Sequence, residues 1–163
     1  MKEFDIIRQC LAPLAPTPGA YALRDDVAQL PNQSATSIVT TDTLVEGVHF
    51  LPGDPLDLVG QKLVRVNLSD CLSKGARPIA ALFNLTWPKS RTGAELKQLI
   101  SGLSEFIPHE FPLIGGDTTS TDGPIVLSLT LIGECHGEGP VRRGGGKPGD
   151  DIWVSGTIGD AYL

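Results

Sequence analysis

Ser37-Ile-Val-Thr-Thr-Asp-Thr-Leu-Val45 is rich in β-branched residues and reads as a strand. One acid, Asp42, interrupts it, and a charge inside an apolar run must find a partner or a ligand. Downstream, Pro55 to Gly75 carries Leu58, Val59, Leu63, Val66 and Cys71 at helical spacing, with Gly75 as a stop. Ile79-Ala-Ala-Leu-Phe-Asn-Leu-Thr-Trp87 is a second strand. Thr92 to Phe106 predicts an amphipathic helix that buries Leu96, Leu99, Ile100 and Leu103, with Thr92 as N-cap three residues before Glu95. Phe111-Pro-Leu-Ile-Gly-Gly116 and Ile125 to Gly133 predict apolar strands separated by the turn-like Ser120-Thr-Asp-Gly-Pro124. Asp151-Ile-Trp-Val-Ser155 predicts a last short strand after a Gly/Pro-rich loop. Upstream, residues 3–12 predict a short helix with Phe4, Ile7 and Leu11 on one face. Pro13, Pro16, Pro18 and Gly19 end it, so residues 1–24 are expected to be a partly mobile lead-in. Strands interleave with two long helices and there is no repeat, which places the chain in the α+β or α/β class, a sheet with helices packed on one face.

The 163 residues include 13 Lys+Arg against 19 Asp+Glu, a net charge of −6, with 40% hydrophobic and 20% charged residues. Such a chain is expected to form one soluble domain with a real core. A pI near 4.9 argues against nucleic acid as a partner, because phosphate-backbone affinity needs a basic stripe. The longest apolar stretch, Ile125 to Ile132, is far short of the ~20 residues of a membrane helix, so no membrane is expected. Met1-Lys-Glu-Phe-Asp-Ile-Ile7 carries acids where a signal peptide has a basic flank. Cys10, Cys71 and Cys135 are odd in number and widely spaced, which fits reduced cysteines in the cytoplasm better than disulfides or a zinc site. The ending Gly159-Asp-Ala-Tyr-Leu163 reads as a cut at the start of a new element.

Acids beside small or hydroxyl residues at strand and helix ends are the pattern that needs a chemical reading: Asp25-Asp26, Thr40-Thr-Asp-Thr43, Asn67-Leu-Ser-Asp70 and Gly115-Gly-Asp-Thr-Thr119. Magnesium takes hard oxygen ligands, usually one or two carboxylates with phosphate oxygens and water. Several such acids converging would hold ions along a polyphosphate, most of what phosphoryl transfer needs. Each has a structural alternative. Asp25-Asp26 reads also as a solvated loop pair, and Asp70 as a partner for Lys74 one helical turn on. Gly115-Gly116-Asp117 is read as the end of a buried strand, open either to a ligand's close approach or to a plain turn. His49 alone reads as a hydrogen-bonded structural group, and Trp87 and Trp153 as core. Gly144, Gly146 and Gly149 satisfy Gly-x-Gly-x-x-Gly, but Pro148 and a strand follow where a helix is required; Lys147 precedes Pro148, so it is no Walker A lysine. A basic loop able to place an Arg on phosphate, or a solvated turn, remains.

Thr40-Thr-Asp-Thr-Leu-Val-Glu-Gly-Val-His-Phe50, Val66-Asn-Leu-Ser-Asp70 with Gly75-Ala76, and Leu113-Ile-Gly-Gly-Asp-Thr-Thr119 together resemble the N-terminal half of thiamine-monophosphate kinases. Arg143 to Gly149 and Val154-Ser-Gly-Thr-Ile-Gly-Asp160 continue the resemblance, which covers nearly the whole chain after residue 20. It implies an aminoimidazole ribonucleotide synthetase-like N-terminal domain: a mixed, mostly antiparallel sheet with helices on one face. The activity implied is ATP-dependent phosphorylation of thiamine monophosphate to thiamine diphosphate by direct γ-phosphoryl transfer on a magnesium cluster. Carried over by position, Asp26, Thr40, Thr41, Asp42, Asp70 and Asp117 would be magnesium ligands. Gly116, Asp117 and Arg143 would contact ATP, His49 would face the thiamine phosphate, and no catalytic base is assigned. The resemblance also implies a homodimer through the sheets.

Two departures accompany it. Ala22-Leu23-Arg24 stands where the family has Gly-x-Gly before the acid pair, an Arg that either clashes with bound metal or itself pairs with a phosphate in place of a cation. Family enzymes are also roughly twice this length, as domains run ~100–200 residues. Residues 1–163 are therefore read as one ATP- and magnesium-binding domain without the substrate domain, expected to be inactive alone. The alternatives are a non-catalytic nucleotide-binding or dimerisation module and a sister ATP-dependent enzyme of the superfamily.

Overall fold

Along Val126–Cys135 every second residue is buried, and this strand forms the centre of the sheet. The computed structural model describes residues 18, 21, 24–25, 28–29, 36–154 and 156–157. Among them the order is β1 (Ala28–Gln29), β2 (Ser37–Val45), α1 (Leu56–Ser73), β3 (Ala76–Pro88), α2 (Gly93–Ser104), β4 (Leu113–Thr121) and β5 (Val126–Cys135). The five strands run β1-β2-β5-β3-β4 across the sheet. β1 pairs with β2, and β5 with both β2 and β3, in antiparallel fashion, while β3 and β4, joined through α2, are parallel. The class is thus α+β, mixed and mostly antiparallel, as the family resemblance implies.

Side-chain parity divides the sheet. Leu127, Leu129 and Leu131 of β5 sit opposite Leu44, Asp42 and Thr40 of β2 and beside Leu85, Phe83 and Ala81 of β3. This face receives α1, and the three leucines are fully buried with Leu63 and Val64 of the helix. Each such leucine contributes about 1.5–3 kcal/mol relative to exposure. The opposite face is half polar. On it Thr43 donates to Ser128 (3.1 Å) and Thr130 to Thr41 (3.0 Å), and no described helix covers it. α2 packs on α1 backbone to backbone: a Cβ at Gly102 would lie 1.9 Å from the Asp57 carbonyl oxygen, and one at Gly60 2.5 Å from that of Leu99. Thr92 caps α2 in a reciprocal box with Glu95, as its spacing predicts. Gly75 ends α1 at φ +68°, the left-handed region expected of a helix stop.

Four expectations are corrected. Residues 151–154 form no strand, and Trp153, expected in the core, is 90% exposed. Ile100 is exposed because α2 buries only the narrow stripe of Leu99, Gly102 and Leu103 against α1. Gly115-Gly116-Asp117 does not end a buried strand but lies in the middle of an exposed edge strand, β4. Trp87 is half-buried against the core, as expected. The helix over residues 3–12 and Cys10 lie outside the described residues.

Candidate active site

Two of the acid-motif side chains, Thr40 and Asp70, meet where α1 packs on β2, and Asp42 shares Thr40's face two residues along the strand. Asp42 and Thr40 alternate onto the helix-covered face of β2, and the Thr40 hydroxyl donates to Asp70 Oδ2 of α1 at 3.2 Å. Thr40 is buried, and Asp42 and Asp70 are half-buried. Asn67, one turn before Asp70, is fully buried and donates to the Leu63 carbonyl at 2.9 Å, leaving its Oδ1 without a protein partner. Thr40, Asp42 and Asp70 make a hard-oxygen donor set of the kind magnesium takes when phosphate oxygens and water complete the octahedron. By themselves they are not a closed cage: among the described residues no group of three or more acidic, His or Cys side chains is arranged to hold an ion.

The other motif residues lie apart from this set. Thr41 points to the open face, donating to the Leu129 carbonyl at 3.1 Å. Asp117 falls in a row with Asn84, Ser128 and Thr43, one residue out of step with the row of Gly116, Phe83, Leu129 and Asp42. Asp117 therefore occupies the face opposite Asp42, three strands away across the sheet. Gly116 has φ +149° and a Cβ there would meet the Phe83 carbonyl at 1.8 Å, so only glycine fits beside β3. Asp26 lies outside the described residues.

One helical turn beyond Asp70, Lys74 turns its buried ammonium to Asp25 Oδ1 at 3.1 Å. Arg142 Nε donates to Asp25 Oδ2 at 3.2 Å, the Arg143 N–H donates to the same oxygen at 3.3 Å, and the Arg142 guanidinium lies 3.7 Å over the Tyr21 ring. Burial alone would raise the Asp25 carboxyl, but hydrogen bonds from Lys74, the Arg143 amide and Arg142 outweigh it and hold the group below the usual carboxylate range. The root of the glycine-rich loop is thus tied beside the donor set. Gly144 to Lys147 are exposed, with the Lys147 N–H donating to Asp150 at 2.7 Å. Cys71, packed under Asp70, is no nucleophile, since burial pushes its thiol up to about 11. Both described cysteines are free.

His49 lies in the exposed loop after β2, its Nδ1 accepting from the Val45 N–H at 3.0 Å. Beneath that loop Arg91 bridges Glu46 and Glu95. Neither this arginine nor the Lys74–Asp25 contact was predicted. Glu46 within an apolar run and the Thr92-x-x-Glu95 spacing were the available signals, while Arg91 carries none of its own.

Fold and donor set together define an α+β domain that offers hard oxygen ligands beside a tethered basic loop. The chain belongs to the family described as AIR synthase related protein, N-terminal domain, which matches residues 24–135. It is 42% identical to the thiamine-monophosphate kinase of Caulobacter vibrioides over 99% of this chain and 47% of that protein. Among solved structures it is similar to the thiamine-monophosphate kinase of Stenotrophomonas maltophilia, with TM-score 0.69, 34% identity and coverage of 94% of this chain and 51% of that one. It is also similar to AaThiL complexed with AMPPCP and TMP, with TM-score 0.67, 28% identity and coverage of 82% and 44%. The chain spans about half the length of the curated relatives it matches. No described helix is long and apolar enough to cross a membrane.

Proposed function

We propose that this chain is the nucleotide- and magnesium-binding half of a cytoplasmic enzyme that transfers the γ-phosphoryl group of ATP to thiamine monophosphate, giving thiamine diphosphate. The observation that carries this reading is the 42% identity to a thiamine-monophosphate kinase across 99% of the chain. The likeness to a structure holding AMPPCP and TMP supports ATP and thiamine monophosphate as the substrate pair.

Asp42, Asp70 and Thr40 would hold magnesium, with Asp26 as a further proposed ligand; Thr41 and Asp117, on the other face of the sheet, would meet a metal only at a separate position. Bound there, magnesium supplies charge neutralisation on the polyphosphate. The chain's own residues do the rest. Gly116 and Asp117 would contact the nucleotide from β4, Arg143 is carried beside Lys74 and Asp25 at the end of α1, and His49 presents its outer ring edge to the acceptor. An oxygen of thiamine monophosphate attacks the γ-phosphorus, a new P–O–P bridge forms, and the bond to the β-phosphate oxygen breaks to release ADP. That acceptor oxygen is already anionic, so no base is needed. The second half of the protein is required to complete the site, and this chain alone is expected to be inactive. The half-polar open face of the sheet and the edge of β4, which pairs only with β3 among the described residues, support a homodimer formed through the sheets; a monomer in sedimentation at micromolar concentration would remove that part.

Calorimetric titration with a non-hydrolysable ATP analogue, with and without magnesium, tests the site. Binding by this chain is expected to require magnesium and to be lost in Asp42→Asn. Magnesium-independent binding unaffected by Asp42→Asn would instead favour a nucleotide-binding module without catalysis. For the intact gene product, failure to make thiamine diphosphate from ATP would overturn the assignment.

A further inference from the structure

The loop between β2 and α1, which carries His49, is fastened to one arginine on either side of the histidine, at Glu46 and Pro52. Arg91 Nη2 meets Glu46 Oε1 and also donates to the Pro52 carbonyl at 3.3 Å, while Nη1 donates to Glu95 Oε1 at 2.6 Å. The other Glu46 oxygen accepts from the Ile125 N–H at 3.1 Å, which anchors the loop's first residue to the start of β5. Inside the loop the Gly47 N–H donates to the Phe50 carbonyl at 2.7 Å, and the His49 N–H to the Val45 carbonyl at 2.9 Å. Lys62 of α1 donates to the His49 carbonyl at 2.6 Å. In the loop so held, the imidazole turns Nδ1 to the Val45 N–H at 3.0 Å. An amide nitrogen only donates, so Nδ1 is the bare nitrogen, and in a neutral ring the proton is on Nε2.

We propose that Arg91 is a positioning residue. By clamping Glu46 and Pro52 it holds the loop in the shape that fixes His49 as the Nε2–H tautomer, so that an N–H donor points outward toward the phosphate of the acceptor substrate. The proposal rests on the reading of His49 as the acceptor-facing residue. Three acceptors, Glu46 and Pro52 of the loop and Glu95 in the first turn of α2, converge on one guanidinium. A planar fork serves them together where a lysine, a single point charge, cannot. With the Glu46 side chain only 9% exposed, loss of Arg91 leaves a carboxylate with little water to replace its partner, and the loop is the part free to move.

Side-chain nitrogen NMR on histidine-labelled protein reads the tautomer without any substrate. In the wild-type chain His49 is expected as a single Nε2–H tautomer, and in Arg91→Gln as a mixture of both. Two tautomers in the wild type, or one unchanged tautomer in Arg91→Gln, would overturn the clamp. Arg91→Lys keeps the charge and guards against a variant that fails to fold; it too is expected to release the tautomer, and its retention of the wild-type signal would count against the fork. In the intact gene product, Arg91→Lys is expected to raise the KM for thiamine monophosphate about tenfold while that for ATP stays within about twofold. An equal rise in both would reduce Arg91 to a structural role. The NMR arm needs no acceptor, so its failure is distinguishable from failure of the kinase assignment.

Discussion

Replacing Gly102 with alanine places a methyl carbon 1.9 Å from the Asp57 carbonyl oxygen, whereas non-bonded heavy atoms prefer about 3.5 Å, so α1 and α2 must part locally by roughly 1.5 Å. The neighbouring atom is backbone and cannot swing aside. Overpacking of this kind costs about 1–3 kcal/mol, and the separation also loosens Leu99 and Leu103. Against it stands the better helix propensity of alanine, up to about 1 kcal/mol. The net expectation is a loss of about 1–2 kcal/mol, or a fall in Tm of about 3–8 °C for a chain of this size. Thermal unfolding followed by circular dichroism measures it, with Gly93→Ala as the control. Gly93 is the first residue of the same helix and has nothing within 4 Å of its would-be Cβ, so that alanine is expected to be neutral or slightly stabilising. If Gly102→Ala unfolds at or above the wild-type temperature, the helices are not in backbone contact and the packing argument is wrong.

Asp25→Ala removes the carboxylate that faces the 6%-exposed Lys74 side chain and also accepts from Arg142 and the Arg143 N–H. A loss of roughly 1–3 kcal/mol is expected, read as a lower urea midpoint at unchanged slope; a midpoint within error of wild type would refute the contact. Glu95 is held at about 2 by the Thr92 N–H first, then by Arg91 and the Thr92 hydroxyl. Its ordinary value is 4.5, so its contribution is complete above that pH and is lost as pH falls toward 2. Glu95→Gln should therefore unfold more easily at neutral pH yet lose less stability than wild type between pH 4.5 and 2, and parallel acid-denaturation curves would contradict this.

The elements were legible wherever a period repeats and a boundary residue punctuates it. β5 alternates cleanly because one face takes α1 and the other does not. The start of α2 was legible because Thr92 and Glu95 are a self-contained capping device. Ile100 was misread because a stripe of apolar residues does not reveal how narrow the partner is, and here the partner is the backbone of α1 beside Gly102. Trp153 was misread because hydrophobicity states a demand for cover without saying what supplies it. Local motifs named Asp42 and Asp117 alike, yet their opposite faces follow only from strand order and register, which no short stretch encodes. Arg91 was invisible because its meaning depends on Glu46, far from it in sequence but adjacent in space.

The strand order also sets a timetable for synthesis. β2 bonds along its length to β5, Val45 opposite Val126 and Ser37 opposite Glu134. At translation rates of about 5–20 residues per second, β2 waits several seconds for its neighbour to be made. During that interval the nascent chain holds a β-branched strand with nothing central to pair with, while α1 and α2 can already meet through Gly60 and Gly102. The two helices are thus the natural first structure on the ribosome. The sheet closes in one late step when β5 slots between β2 and β3, so an interruption of synthesis before residue 126 leaves a helical pair and two separate strand pairs, β1 with β2 and β3 with β4, rather than a smaller version of the fold.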